Sequence, residues 1–260
     1  MLGVRKAVSD MDFCINIKKI VTIEAVNPVI NLDGHQEKSF NKAELPKLDD
    51  LKPMQRRRLS PFAKLAMHCA LEVTKNENQS LVSVFSSRHG DLHKTSTMLH
   101  DLALGEDISP TAFSLSVHNA VAGLFTIFTQ NTQASTTVSA GKDTFMMALV
   151  EAYIRLKTGK HEQVLLVHSD QSLPSPYSQY ADELQVDHAV ALILTKDSNV
   201  GQRLSVKKYN NGSTATSTSD TSLSELPQAL SFHRWFSDIK KTQELTMLDK
   251  QWKINRSNIE

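Results

Sequence analysis

A layered α/β fold is what these 260 residues predict, on three observations. Short runs rich in apolar and β-branched residues recur, bounded by charged or turn residues. Between them lie longer segments whose apolar residues return at helical spacing. The two kinds of segment alternate, the pattern of a sheet covered by helices.

Each element has its own signal. Phe13–Val26 is dominated by β-branched residues and predicts one or two strands. Asn31–Asp50 is polar, holds Gly34 and Pro46, and reads as a surface excursion. Ser60-Pro61 is an N-cap followed by proline at the first helical position, and Phe62, Leu65, Ala66, Cys69 and Val73 then mark an amphipathic helix to about Thr74. Leu81–Ser87 predicts a buried strand, and Asp91–Leu104 a helix ending at Gly105. Ser109-Pro110 opens a loop before a helix from about Asn119 to Thr129, and the Thr- and Val-rich Ala134–Ser139 predicts a strand. Asp143–Leu156 is strongly helical and stops at Gly159; Gln163–His168 and His188–Thr195 read as central strands. Val200–Ser224, rich in Ser, Thr, Asn and Gly, predicts a flexible loop over 200–224, and Leu226–Ile239 a short amphipathic helix. No repeat of fixed period is present, and 1–260 is expected to form a single domain.

Composition narrows the function classes. Lys and Arg total 29 against 28 Asp and Glu, a formal net charge of +1, which does not describe a general nucleic-acid or membrane surface. Cys14 and Cys69 are too few for a disulfide framework or a cysteine-based zinc site, and fit reduced thiols in a cytoplasmic protein. No stretch approaches the ~20 apolar residues of a membrane span, and Arg5 and Lys6 are not followed by the apolar core of a secretory signal. There is no phosphate loop and no dinucleotide-binding glycine pattern.

The most informative segment runs from Ser109 to Lys160, SPTAFSLSVHNAVAGLFTIFTQNTQASTTVSAGKDTFMMALVEAYIRLKTGK. Four landmarks follow one another without a gap: Ser109-Pro110; Asn119-Ala120 with Gly123; Ser135–Ala140; and Ala148-Leu149 with Ala152, then Gly159-Lys160. On these residues the chain resembles the N-terminal half of the β-ketoacyl synthases of the thiolase fold. The pieces RRRLSP, SSRHGD and SVHNA and the Trp- and Phe-rich C-terminal helix resemble the short, chain-length-factor-like members found in aryl polyene systems.

That resemblance implies a thiolase-like layered fold, cut to roughly the N-terminal half plus a C-terminal helix. It implies a nucleophile position at a strand-to-helix turn, where active ketosynthases carry a cysteine. Helix dipole and backbone N–H groups there lower the thiol pKa and stabilise an oxyanion. By the landmarks that position is Lys142. Lysine forms imines with carbonyls and is a poor thioester acceptor, so Lys142 and Asp143 read as a structural or interface pair. The two histidines, or histidine and asparagine, that the family supplies from a second α/β half have no counterpart after Thr195; His233, set among Phe232, Arg234, Trp235 and Phe236, reads as packing.

The resemblance therefore implies a non-catalytic chain length factor without a cofactor or metal. Its partners would be an active β-ketoacyl synthase, as a heterodimer, and the acyl carrier protein bearing the chain, in polyene, polyketide or fatty-acid-like biosynthesis. The dimer interface would use Asn119, Ala134, Ser135, Thr136, Thr137, Val138 and Ser139. The acyl tunnel would be lined by Thr111, Ala112 and Phe113 after Pro110, and by Phe145 and Met146 after Lys142. Arg56, Arg57 and Arg58 would dock the carrier protein, although an arginine run is commonly a solvated corner. Phe113, Phe145 and Met146 also read as ordinary core.

Rival readings are weighed on residues too. His93 and His100 share a helical face but stand two turns apart, too far for a joint zinc ligand set. Ser87-Arg88-His89 and Ser116 with His118 suggest a hydrolase, yet the G-x-S-x-G elbow is absent. Two alternatives to the chain length factor remain: a half-length acyltransferase using Lys142 or a serine, and a homodimeric acyl-carrier or acyl-binding scaffold.

Overall fold

The computed structural model describes residues 11–24, 45–77, 80–209, 226–238, 243–247 and 251–256. Eight strands form one sheet in the order β3-β2-β4-β5-β1-β6-β8-β7. They are β1 Met11–Glu24, β2 Val82–Ser86, β3 Ser135–Val138, β4 Gln163–Asp170, β5 His188–Thr195, β6 Gln202–Lys208, β7 Glu244–Met247 and β8 Trp252–Arg256. β3, β2 and β4 run parallel, and every other pairing is antiparallel.

Helices cover both faces. α2 (Pro61–Thr74) and α5 (Ala120–Thr129) pack with Phe85, Leu165, Val167, Ala191 and Ile193 on one face. α6 (Thr144–Thr158) and α7 (Gln228–Ser237) pack with Val84, Val164, Leu166, Val190 and Leu192 on the other. β4 and β5 are covered on both sides, which is why their sequences are nearly unbroken apolar runs rather than alternations. The shorter α1 (Pro53–Arg56), α3 (Leu92–Ala103) and α4 (Pro110–Ser114) lie toward the surface.

Local signals explain the helix starts. Ser60 caps α2 by accepting from the Ala63 N–H at 3.2 Å, with Pro61 supplying the first helical φ. Asp91 caps α3 by accepting from the Lys94 N–H at 3.2 Å.

The strand expected within Phe13–Val26 is Met11–Glu24, a single strand of 14 residues with a register shift between Ile17 and Lys19. Two other expectations need correction. The 200–224 loop is wrong at its start. Gln202–Lys208 is β6, and Leu204 and Val206 alternate into the core from between polar neighbours. Gly201 opens that strand at φ +78°, with a Cβ there falling 2.0 Å from the Ile17 carbonyl oxygen. Residues 210–225, like 1–10 and most of the 31–50 excursion, lie outside the described residues. Finally, the chain after Thr195 supplies more than a helix: β6, β7 and β8 extend the sheet beyond β1.

Candidate functional site

The candidate site is the turn from β3 into α6. Gly141 takes φ +59°, and Gly141–Asp143 form one 3-10 turn before α6 begins at Thr144. Thr144 closes the turn: its Oγ1 donates to the Gly141 carbonyl at 2.6 Å and accepts from the Ala140 N–H at 2.9 Å. Ser139 ties the turn to the loop after β2 by donating to the Arg88 carbonyl at 3.2 Å.

Lys142 stands exposed on this turn and does not pair with Asp143. Its Nζ lies 3.1 Å from Asp182 Oδ2 and 3.4 Å from the Asp182 carbonyl. Asp143 instead faces inward, accepting from Trp252 Nε1 at 2.6 Å and from Lys208 Nζ at 3.0 Å. The expected Lys142–Asp143 pair is thus split, because consecutive residues of a turn point in different directions and each finds its own partner.

Asp182 is shared. Arg88 holds it bidentately, both N···O distances being 2.8 Å, and also reaches Glu183 at 3.4 Å. The hydrogen bond from Arg88, joined by that from Lys142, brings the Asp182 carboxyl down to about 2. Burial pushes the Glu183 carboxyl up.

Beneath this pair lies a sealed polar cluster. Asp170 accepts from Ser87 Oγ at 2.7 Å, from the Arg88 N–H at 3.0 and 2.9 Å and from the His89 N–H at 3.2 Å. His168 Nε2 lies 3.2 Å from its other oxygen, and His168 Nδ1 lies 3.0 Å from Ser86 Oγ. Burial alone would raise the Asp170 carboxyl. The hydrogen bond and charge of His168, the charge of His188 and the Arg88 N–H outweigh it and hold Asp170 well below the usual range. His188, its ring tilted 38° to that of His168 at 5.6 Å, is driven toward its neutral form by burial first and by His168 second.

Ser86, His168 and Asp170 connect in the order of a hydrolytic triad. All three are at most 7% exposed, so no substrate reaches the Ser86 hydroxyl. The other serines proposed for hydrolysis are spent elsewhere: Ser87 donates to Asp170, and Ser116 to the Phe113 carbonyl at 2.9 Å. His93 contacts the Ser172 carbonyl at 2.8 Å and His118 the Ser87 carbonyl at 2.8 Å. Among the described residues no group of three His, Cys, Asp or Glu is placed to hold a metal. His233 is partly exposed beside Ser237, its Nε2 3.1 Å from the hydroxyl.

The remaining candidates scatter. Ser135–Val138 is the outer strand of the sheet, and Ala134 and Ser139 flank it, both exposed. Asn119 caps α5 and is exposed, without a side-chain cap bond. Thr111 is exposed on α4, Ala112 is half-buried, and Phe113 is 60% exposed rather than core. Phe145 and Met146 are core, as their second reading has it, at 1% and 0% exposure, with Phe145 packed on His168 and Phe232. Arg56 pairs with Asp49 at 2.7 Å, while Arg57 and Arg58 are exposed. Sequence reasoning missed Asp170, Asp182, His168 and His188. The SSRHGD motif was the available signal for Arg88, but nothing local announces partners 82 and 94 residues away.

The β-ketoacyl synthase N-terminal domain model matches residues 32–255. No curated protein matches the chain. In structure the chain resembles one from the ketosynthase (ApeO) in complex with its chain length factor (ApeC) from Xenorhabdus doucetiae. The identity is 29% and the TM-score 0.72, covering 94% of this chain and 100% of that one. Two more distant structures show the fold alone. A β-ketoacyl synthase from Burkholderia phymatum STM815 is 12% identical with a TM-score of 0.51, the match covering 71% of this chain and 55% of that one. The AntDE:AntF complex of a type II polyketide acyl-carrier protein with its hexaketide-bound ketosynthase is 14% identical, TM-score 0.50, covering 73% and 64%. The architecture is thus thiolase-like, the match spanning 55% and 64% of the lengths of those two relatives.

Proposed function

Because the chain belongs to the β-ketoacyl synthase N-terminal domain family, we propose that it is a catalytically silent chain length factor that pairs with an active β-ketoacyl synthase. The observation that carries this reading is Lys142. Where the family's nucleophile belongs stands an exposed amine salt-bridged to Asp182, which Arg88 also clamps. A lysine serves as a nucleophile when it is desolvated, and this one is not. The likeness to a chain of a ketosynthase–chain length factor complex, which the match covers end to end, supports the same reading.

The partner would lie against β3 and α5, and the growing chain on an acyl carrier protein would extend toward α4 in a polyene- or polyketide-type pathway. Support comes from exposure. Phe113 and Val117 are solvent-facing large apolar residues at and just after α4, as are Leu99 and Leu102 on the α3 that packs against it. Apolar clusters of this kind mark interaction surfaces. Arg57 and Arg58 are exposed and would meet an acidic carrier protein.

The test is reconstitution with an active ketosynthase and acyl carrier protein, followed by mass spectrometry of both protein and product. This chain is expected to co-elute with the ketosynthase and to carry no acyl group. Phe113→Ala should lengthen the product and Ala112→Phe shorten it, since overpacking a tunnel end costs ~1–3 kcal/mol. A stoichiometric adduct on Lys142 or a serine would establish the acyltransferase reading instead. A stable homodimer that ignores the ketosynthase would establish the scaffold.

A further inference from the structure

The connection from β4 to β5, residues 171–187, is longer than the pairing of these strands requires. Antiparallel neighbours are commonly joined by about two to five residues, and a much longer ordered connection usually has a task of its own. Two rungs lace its base. Asp187 accepts from the Ser172 N–H at 2.8 Å and from Gln171 Nε2 at 3.0 Å, and Gln185 Oε1 accepts from the Leu173 N–H at 2.9 Å. His93 ties the same base to α3 through the Ser172 carbonyl. Pro174 is buried and Leu184 packs against the core, so both ends are fixed.

Between those ends the polar ties to the frame gather at one place. Ser175–Tyr180 coil into a 3-10 turn without a buried residue. Among the described residues, the hydrogen bonds of 174–181 stay within the loop. The Tyr177 N–H donates to the Pro174 carbonyl at 2.8 Å, Ser178 Oγ to the Ser175 carbonyl at 2.9 Å, and the Ala181 N–H to the Ser178 carbonyl at 3.1 Å. Outward ties begin at Asp182, whose carboxylate meets the Arg88 fork and Lys142 Nζ, and end at Glu183, which meets Arg88.

Arg88 is a fixed post. Its N–H donates to Asp170, its carbonyl accepts from Ser139, and its side chain is only 15% exposed. The loop side is the open one: the Asp182 side chain is 38% exposed and Tyr180, two residues earlier, 68%. We propose that Ser175–Glu183 is a strap, latched by Asp182, that swings about its laced base and bares Lys142 and the Arg88 fork when the latch breaks. Arg88 holds the Asp182 carboxyl down to about 2, so the latch stays charged at working pH, and salt that screens this partly exposed pair weakens it. The device goes beyond the chain length factor reading and does not depend on it.

The experiment is limited chymotrypsin digestion of the full chain, followed at the Tyr180–Ala181 bond, together with acetylation of Lys142 by an N-hydroxysuccinimide ester, both read by mass spectrometry. Cleavage of a transiently opened segment tracks its open population. Asp182→Asn keeps the shape of the side chain and removes its charge, and should raise both rates about tenfold. In the parent, raising NaCl from about 0.05 M to about 0.5 M should speed the cleavage relative to that of a peptide substrate, and Asp182→Asn should remove that dependence. Lys142→Ala, at an exposed side chain, leaves the Arg88 fork in place and should raise cleavage by a smaller factor, about two- to threefold. Faster acetylation without faster cleavage in Asp182→Asn would mean that Asp182 pairs with Lys142 on a loop that does not swing, and would overturn the strap. Cleavage indifferent to both salt and Lys142→Ala would overturn it as well. No ketosynthase or carrier protein enters the assay, so its outcome is separate from that of the chain length factor reading.

Discussion

Asp170 and His188 set how this protein responds to acid. The folded Asp170 carboxyl sits below its unfolded value, so its contribution is present above about pH 4 and is lost as pH falls through the folded value. His188 acts at higher pH. Buried beside His168, with Nδ1 2.8 Å from the Val186 carbonyl and Nε2 without a partner, it resists protonation. The unfolded chain takes up that proton from about pH 6.5 downward while the folded one does not, so stability falls as pH drops below that point. The melting temperature should therefore decline between about pH 7 and pH 5, and His188→Phe should make the decline shallower. His89 and His233, also shifted down by burial, would account for what remains. Parallel melting curves for the two proteins across this range would show that His188 is protonated without penalty.

At the scale of the element, β3 is the sheet's outermost strand on its parallel side, and one of its edges is open among the described residues. The Ala134 and Val138 carbonyls accept from the Ser83 and Ser87 N–H groups of β2, at 3.1 and 3.3 Å. Alternate residues of a strand direct their backbone groups to opposite neighbours, so Ser135 and Thr137 face outward. An open edge of this kind invites another strand. Thr137→Pro removes one outward N–H and leaves the bonds to β2 untouched. The variant should fold with an unchanged circular dichroism spectrum and lose at least about tenfold in affinity for the ketosynthase that we propose as its partner. Undiminished co-elution would move the interface off β3.

Over the whole molecule, the C-terminal β7–β8 hairpin braces the Lys142 turn. Trp252 is fully buried, donates to Asp143 109 residues earlier, and lies under Lys208 Nζ at 4.9 Å from its ring. Lys208 also binds Asp143, so one carboxylate joins α6, β6 and β8. Trp252→Phe keeps most of the packing and removes a hydrogen bond to a charged group, and should cost about 1.5–3 kcal/mol in urea unfolding. Trp252→Ala should cost about 3–5 kcal/mol. A Trp252→Phe protein as stable as the parent would mean that the hairpin packs without bracing the turn.

Local chemistry determined much of this protein by itself. Ser60-Pro61 starts α2, the apolar run of β5 requires cover on both faces, and the order of landmarks from Ser109 to Lys160 points to the family that the chain belongs to. These signals lie within a few residues of what they specify. β6 escaped because a short alternation, Leu204 and Val206 among polar neighbours, is weaker than the Ser- and Thr-rich composition around it. The site's electrostatics escaped for a different reason. Arg88 and Lys142 meet at Asp182, and Ser86, His168 and Asp170 meet under them, only once the parallel pairing of β2 with β4 sets their strand ends side by side. Charge pairing acts over a few ångströms in space with no regard to distance along the chain. The sequence alone therefore specifies which residue stands at the turn, and the tertiary structure decides what that residue holds.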